Sequence, residues 1–154
     1  MIQRIQTIWL LISALSSGFL MKGGILNFIS KTGQKYSTCF SGIYRFNNIS
    51  KEVITNLLPL AIVIILILLL SVVSMLLFKK RRIQKILTLI VTVFSICLIL
   101  ILAHSSIIFM KNYNTQLVPG IKMFLPIIIL VSTIFAYRGI SRDEKLIKSY
   151  NRLR

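Results

Sequence analysis

Residues 57–78 run for twenty-two positions without a charged side chain, and seventeen of them are Leu, Ile, Val or Phe. At 1.5 Å per residue such a helix is about 33 Å long, enough to cross a hydrocarbon core of roughly 30 Å. No face of it is polar, so a soluble protein could not leave one side in water. The cluster Lys79-Lys80-Arg81-Arg82 follows directly. Cations at the end of a span mark the side that stays in the cytoplasm. This stretch yields class, topology and orientation, and leaves the molecular activity open.

The rest of the composition agrees. Of 154 residues 56% are apolar, and only Glu52, Asp143 and Glu144 are acidic. Charged residues make up 14%, where an ordinary soluble domain carries about a quarter. The net charge of +16 raises nucleic acid as a partner. The cations sit between apolar runs of spanning length, however, so topology and attraction to anionic lipid headgroups account for them, and no nucleic acid is expected. Cys39 and Cys97 follow no metal or redox spacing; one falls in a loop and one mid-helix, so both are read as free.

Four hydrophobic runs are expected to span: residues 5–21, 57–78, 86–110 and 119–137. The first follows a single cation, Arg4, and shares its plan with a secretory signal peptide, but no A-x-A pattern follows it, so a retained anchor is the reading. Within it Ser13, Ala14, Ser17 and Gly18 form a stripe of small residues that lets another helix approach closely; ordinary small-residue usage in a membrane helix explains them equally well.

Residues 22–56 form the longer outer loop. Its strand-forming runs 34–40 and 43–47 flank Ser41-Gly42 and read as a small β-hairpin, with an unstructured loop as the alternative. Two strands alone are marginal in water, so the hairpin would lie on the helix ends or the bilayer interface. Ser50 and Glu52 then read as the cap and first turn of a second helix beginning before the membrane, with Pro59 a kink inside it. The link 79–85 is short enough to force the next helix back antiparallel. Residues 111–118 form a short outer loop, Pro119 opens the last span, and Pro126 bends it.

With the amino terminus inside, the cytoplasmic pieces 1–4, 79–85 and 138–154 carry 12 Lys and Arg in 28 residues, against 7 in 47 for the outer pieces 22–56 and 111–122. That bias places both termini in the cytoplasm. The tail holds a second signal. Ser141-Arg142-Asp143-Glu144 matches a capping box, and Gly139 permits a break before it. Ile140, Leu146, Ile147, Tyr150 and Leu153 recur at helical spacing, so the tail reads as an amphipathic helix on the inner membrane surface or, alternatively, as a frayed end. Candidate contacts for anionic lipid or a partner are Lys79, Lys80, Arg81, Arg82, Lys85, Arg138, Arg142, Lys145, Lys148, Arg152 and Arg154.

A reacting constellation is not visible. The expected spans hold no Asp, Glu or Arg, and intramembrane proton or ion handling ordinarily needs ionisable groups there. His104 lies about 28 Å along its helix from Lys85, at headgroup depth. The Ser and Thr residues at 71, 74, 88, 92, 95, 132 and 133 are expected to bond helix to helix or to their own backbone. Catalytic, metal and cofactor sites are all read as none.

The opening Met1-Ile2-Gln3-Arg4-Ile5-Gln6-Thr7-Ile8-Trp9-Leu10-Leu11 and the close, Arg138-Gly139-Ile140-Ser141-Arg142-Asp143-Glu144 through Arg152-Leu153-Arg154, resemble the ends of the four-span family of Bacteroidota catalogued as domain of unknown function 4293. The resemblance implies a bacterial inner-membrane location and carries no activity, substrate or catalytic residue.

The expectation is therefore an all-α membrane protein, an antiparallel four-helix transmembrane bundle with a small β-hairpin in its first outer loop. A non-enzymatic, partner-binding or assembly role through the cytoplasmic ends is the leading functional reading. The partners would be the bilayer, anionic headgroups, and another membrane protein or a second copy. A small oligomeric transporter or channel, motivated by Pro59, Pro126 and His104, is the alternative.

Overall fold

The computed structural model describes residues 3–30, 33–46, 51–77 and 80–152; for 3–5, 46, 51 and 145–152 only the backbone is described. The expected helices form, but they are not the whole fold. In chain order the elements are α1 (Gln3–Leu20), β1 (Gly24–Ser30), β2 (Lys35–Cys39), β3 (Gly42–Phe46), β4 (Lys51–Asn56), α2 (Leu58–Leu76), α3 (Arg81–Tyr113), β5 (Thr115–Val118), a 3-10 turn (Ile121–Phe124) and α4 (Leu125–Arg152). The all-α expectation is thus wrong: a five-stranded antiparallel sheet in the order β4-β3-β2-β1-β5 makes the protein mixed α and β.

The sheet grows from pairings that local pattern conceals. The hairpin β2–β3 is present, but its register pairs Cys39 with Gly42, so the turn is Phe40-Ser41, one residue before the expected position. β1 was hidden in the apolar continuation of α1. After Leu20 the helix ends, Gly23 takes a left-handed conformation (φ 73°) that favours glycine, and Ile25-Leu26-Asn27-Phe28-Ile29 turns away as a strand. It pairs on one side with β2 and on the other with β5, which lies within the expected short outer loop 111–118. Residues 51–56, expected to begin the second helix, form β4 antiparallel to β3 instead, with Arg45 opposite Glu52. Ser50, the expected cap, lies outside the described residues.

Pro59 and Pro126 therefore do not kink helices. Each is the second residue of its helix, where a missing N–H leaves no bond unmade. α3 is longer than its apolar core: 33 residues reach about 50 Å, and it stops at Asn114, whose left-handed backbone (φ 46°) lets its N–H close onto Met110 O. The tail is corrected too. α4 passes through Gly139 and Ser141 without a break, so there is no separately capped surface helix.

Among the described residues three helical segments are long and apolar enough to cross a membrane: Leu58–Leu76, Arg81–Tyr113 and Ile121–Glu144. The first helix contributes a shorter apolar stretch, Gln6–Leu20. α1 packs on α2 and α4, and α3 packs on α2 and α4, which closes a ring of four. Its pattern inverts that of a soluble bundle. Leu58, Leu76, Leu100 and Ile107 are each more than 60% exposed, while Ser13, Ser71, Ser74, Thr88, Ser95 and Thr133 are fully buried. Large apolar side chains outward and small hydroxyls inward suit a lipid solvent.

One core joins bundle and sheet. It runs from Phe28, Tyr36 and Ile43 on the strands to Leu60, Ile64, Ile67, Val91, Leu98 and Ile129 on the helices. The sheet caps the end of the bundle where α1 and α3 finish and α2 and α4 begin. Phe109 and Tyr113 of α3 hold it there: Phe28 lies 5.3 Å from Phe109 and Tyr36 5.4 Å, ring centre to centre. Tyr113 stacks on Phe109 at 4.6 Å. The opposite end, where α1 starts and α4 finishes, is called the terminal end below.

Candidate functional site

Three helices converge at the terminal end through charged and amide side chains. Gln6 on α1 donates through Nε2 to Asp143 Oδ2 on α4 at 2.7 Å, and both residues are buried. Arg81, at the first position of α3, approaches the same carboxylate oxygen at 3.6 Å. One turn on, Lys85 donates to Glu144 Oε2 at 2.9 Å. That hydrogen bond raises the Lys85 amine above its ordinary value, opposed by partial desolvation. Glycine makes room beside this cluster: a Cβ on Gly139 would sit 2.9 Å from Gln6 Cγ, so a larger residue would force the Gln6 side chain to shift. Trp9 and Phe135, stacked at 5.0 Å, continue the α1–α4 seam toward the sheet.

This arrangement explains why the capping-box reading of the tail fails. Asp143 and Glu144 sit mid-helix, and their carboxylates bind across to α1 and α3 instead of turning back to their own backbone. Two acids and two cations are thereby matched. The net positive charge of this end resides in the remaining Lys and Arg.

The expected basic contacts separate into three groups. Arg81 and Lys85 are committed to the acids of α4. Lys80, Arg82, Arg138 and Arg142 are exposed. Lys79 and Arg154, and the side chains of Lys145, Lys148 and Arg152, lie outside the described residues. Arg82 and Lys85 line one cavity of about 590 Å³ with Ile86, Leu89, Tyr137 and Glu144.

The small-residue stripe of α1 also divides. Ser13 and Ser17 are buried, and Ser13 Oγ lies 3.1 Å from Ser71 Oγ on α2. Ala14 and Gly18 instead border an apolar groove of about 520 Å³ with Leu68, Val72 and Met75. A Cβ on Gly18 would make ordinary contact with Leu68, so glycine is not essential there. α2 and α3 are tied in the same way: Ser74 lies 3.0 Å from Thr88 Oγ1, which donates to Gln84 O. Ser95, Ser132 and Thr133 bond to their own helix backbones. His104 is exposed on α3, and Cys39 and Cys97 are free. Among the described residues no group of three or more His, Cys, Asp or Glu is placed to hold a metal.

Sequence reasoning found the acids and cations of the terminal end but missed Gln6 as their partner and Gly139 as the residue that admits it. The available signal was the coincidence of two polar residues, Gln6 and Asp143, near the ends of apolar helices.

Fold and site together define a class: a protein of membrane-spanning build, its helical bundle capped at one end by an antiparallel sheet and clasped at the other by ion pairs. The chain belongs to the family described as Domain of unknown function (DUF4293), which matches residues 2–153. No curated protein and no solved structure matches it.

Proposed function

We propose that this is a non-enzymatic protein of the bacterial inner membrane, with both termini in the cytoplasm, that binds a protein partner or supports an assembly through its terminal end. The observation that carries this reading is the Gln6–Asp143–Arg81 contact, which brings the first turns of α1 and α3 and the C-terminal half of α4 together into one surface. Exposed Lys80, Arg138 and Arg142 border that surface, and a positive rim suits an acidic partner or an anionic membrane. The Lys and Arg bias supports the orientation, with the sheet outside the cytoplasm. The reading as transporter or channel loses its motivating residues, since Pro59 and Pro126 open helices and His104 faces outward.

Crosslinking in cells followed by purification in mild detergent tests the proposal. The wild type should retain a reproducible protein that Asp143→Ala or removal of residues 145–154 loses. The same proteins recovered from all three, or none from any, would contradict it.

A further inference from the structure

We propose that the groove between α3 and α4 at the terminal end is a specific site for the phosphate-bearing headgroup of an anionic phospholipid. Arg82, Lys85, Ile86 and Leu89 share one face of α3, spaced three, four and seven residues from the first. Tyr137 and Glu144, two turns apart on α4, form the opposite wall of the 590 Å³ cavity. The groove changes character along its length. Its cations lie at the start of α3, and over the next roughly 10 Å the wall becomes Ile86 and Leu89, which are 54% and 47% exposed.

That gradient matches a phospholipid, whose charged phosphate continues into acyl chains. A soluble phosphate would use the cations and leave the apolar wall uncovered. Lys85 is held in place by Glu144 at 2.9 Å and lies 6.0 Å from the centre of the Tyr137 ring. Arg82 has no ion pair among the described residues, so its guanidinium is available for two-pronged binding of a phosphate. Asp143 faces Arg81 and Gln6, which limits its repulsion of an anion. The inference rests on the membrane reading of the helices and not on a protein partner.

Native mass spectrometry of the full chain in detergent, with phosphatidylglycerol or phosphatidylcholine added, tests it. The wild type should retain phosphatidylglycerol in preference to phosphatidylcholine. Arg82→Gln should weaken that retention about fivefold, the effect of one cation beside an anionic headgroup. Arg82→Lys, which keeps the charge but loses the two-pronged geometry, should restore only part of it. Lys111→Gln, an exposed cation at the sheet end of α3 and outside the groove, should leave retention unchanged. Equal loss in both glutamine variants, or equal retention of the two lipids, would overturn the site. Displacement by millimolar inorganic phosphate would overturn a lipid as its occupant. An unfolding temperature unchanged in Arg82→Gln without lipid excludes misfolding as the cause. Protein capture in cells is a separate readout, so the partner proposal can fail while this site stands.

Discussion

The two ends of the bundle are held by different forces. At the sheet end, strands satisfy one another's backbone groups, Phe28, Tyr36 and Phe109 pack ring against ring in a core continuous with the helices, and Tyr113 stacks on Phe109. At the terminal end, a handful of charged and amide contacts join helices that meet at small residues. Packing of the first kind is broad, non-directional and indifferent to salt. Contacts of the second kind are few, directional and dependent on each partner. The sheet end is built to be rigid. At the terminal end each contact depends on one named partner, so its loss is not shared among neighbours.

Substitutions at each end break or sharpen this contrast. The largest effect is expected at the sheet. Phe28→Ala should cost about 3–5 kcal/mol, because a fully buried ring leaves a cavity between β1 and α3. Thermal unfolding in detergent should show this loss at low and high salt alike. Asp143→Ala should cost less, about 1.5–3 kcal/mol, by leaving the Gln6 amide and the half-buried Arg81 without their shared acceptor. Part of this effect should fade at high salt, since Arg81 is 27% exposed at its side chain. In the bundle interior, Ser71→Ala should cost only about 0.6 kcal/mol, typical of a single hydrogen bond between membrane helices.

The smallest effect concerns Lys85. Its amine is raised by Glu144, so the pair's contribution is complete at neutral pH and disappears as pH rises through and beyond the ordinary lysine value of 10.5. Glu144→Gln should return the Lys85 titration toward that value, as followed by side-chain NMR. A titration that does not move would show that the contact is not held in solution.

The same contrast explains what could be read from the sequence. α2 and α3 were legible because uninterrupted apolar runs of spanning length have no other stable fold. The β2–β3 hairpin was legible because alternating β-formers lie around a tight turn. The remaining strands were not. β1 continues the apolar run of α1, β4 presents Glu52 where a helix start would, and β5 has only four residues, fixed by pairing with Asn27-Phe28-Ile29-Ser30. Each takes its structure from partners far along the chain. The terminal end was half legible. Its charges were plain, but Ser141-Arg142-Asp143-Glu144 satisfies a local capping pattern, while tertiary contacts from Gln6, Arg81 and Lys85 decide where the acids point.

Opposite placement of the two ends across the bilayer is most directly tested by thiol labelling in intact cells. Cys39 and Cys97 would be replaced by Ser, and single cysteines placed at Lys35 on the sheet or Arg142 near the end of α4, both exposed. A membrane-impermeant maleimide should label position 35 at once and position 142 only after the membrane is permeabilised. Labelling of both positions in intact cells, or of position 142 alone, would contradict a bundle that carries its sheet outside and its clasped ends within.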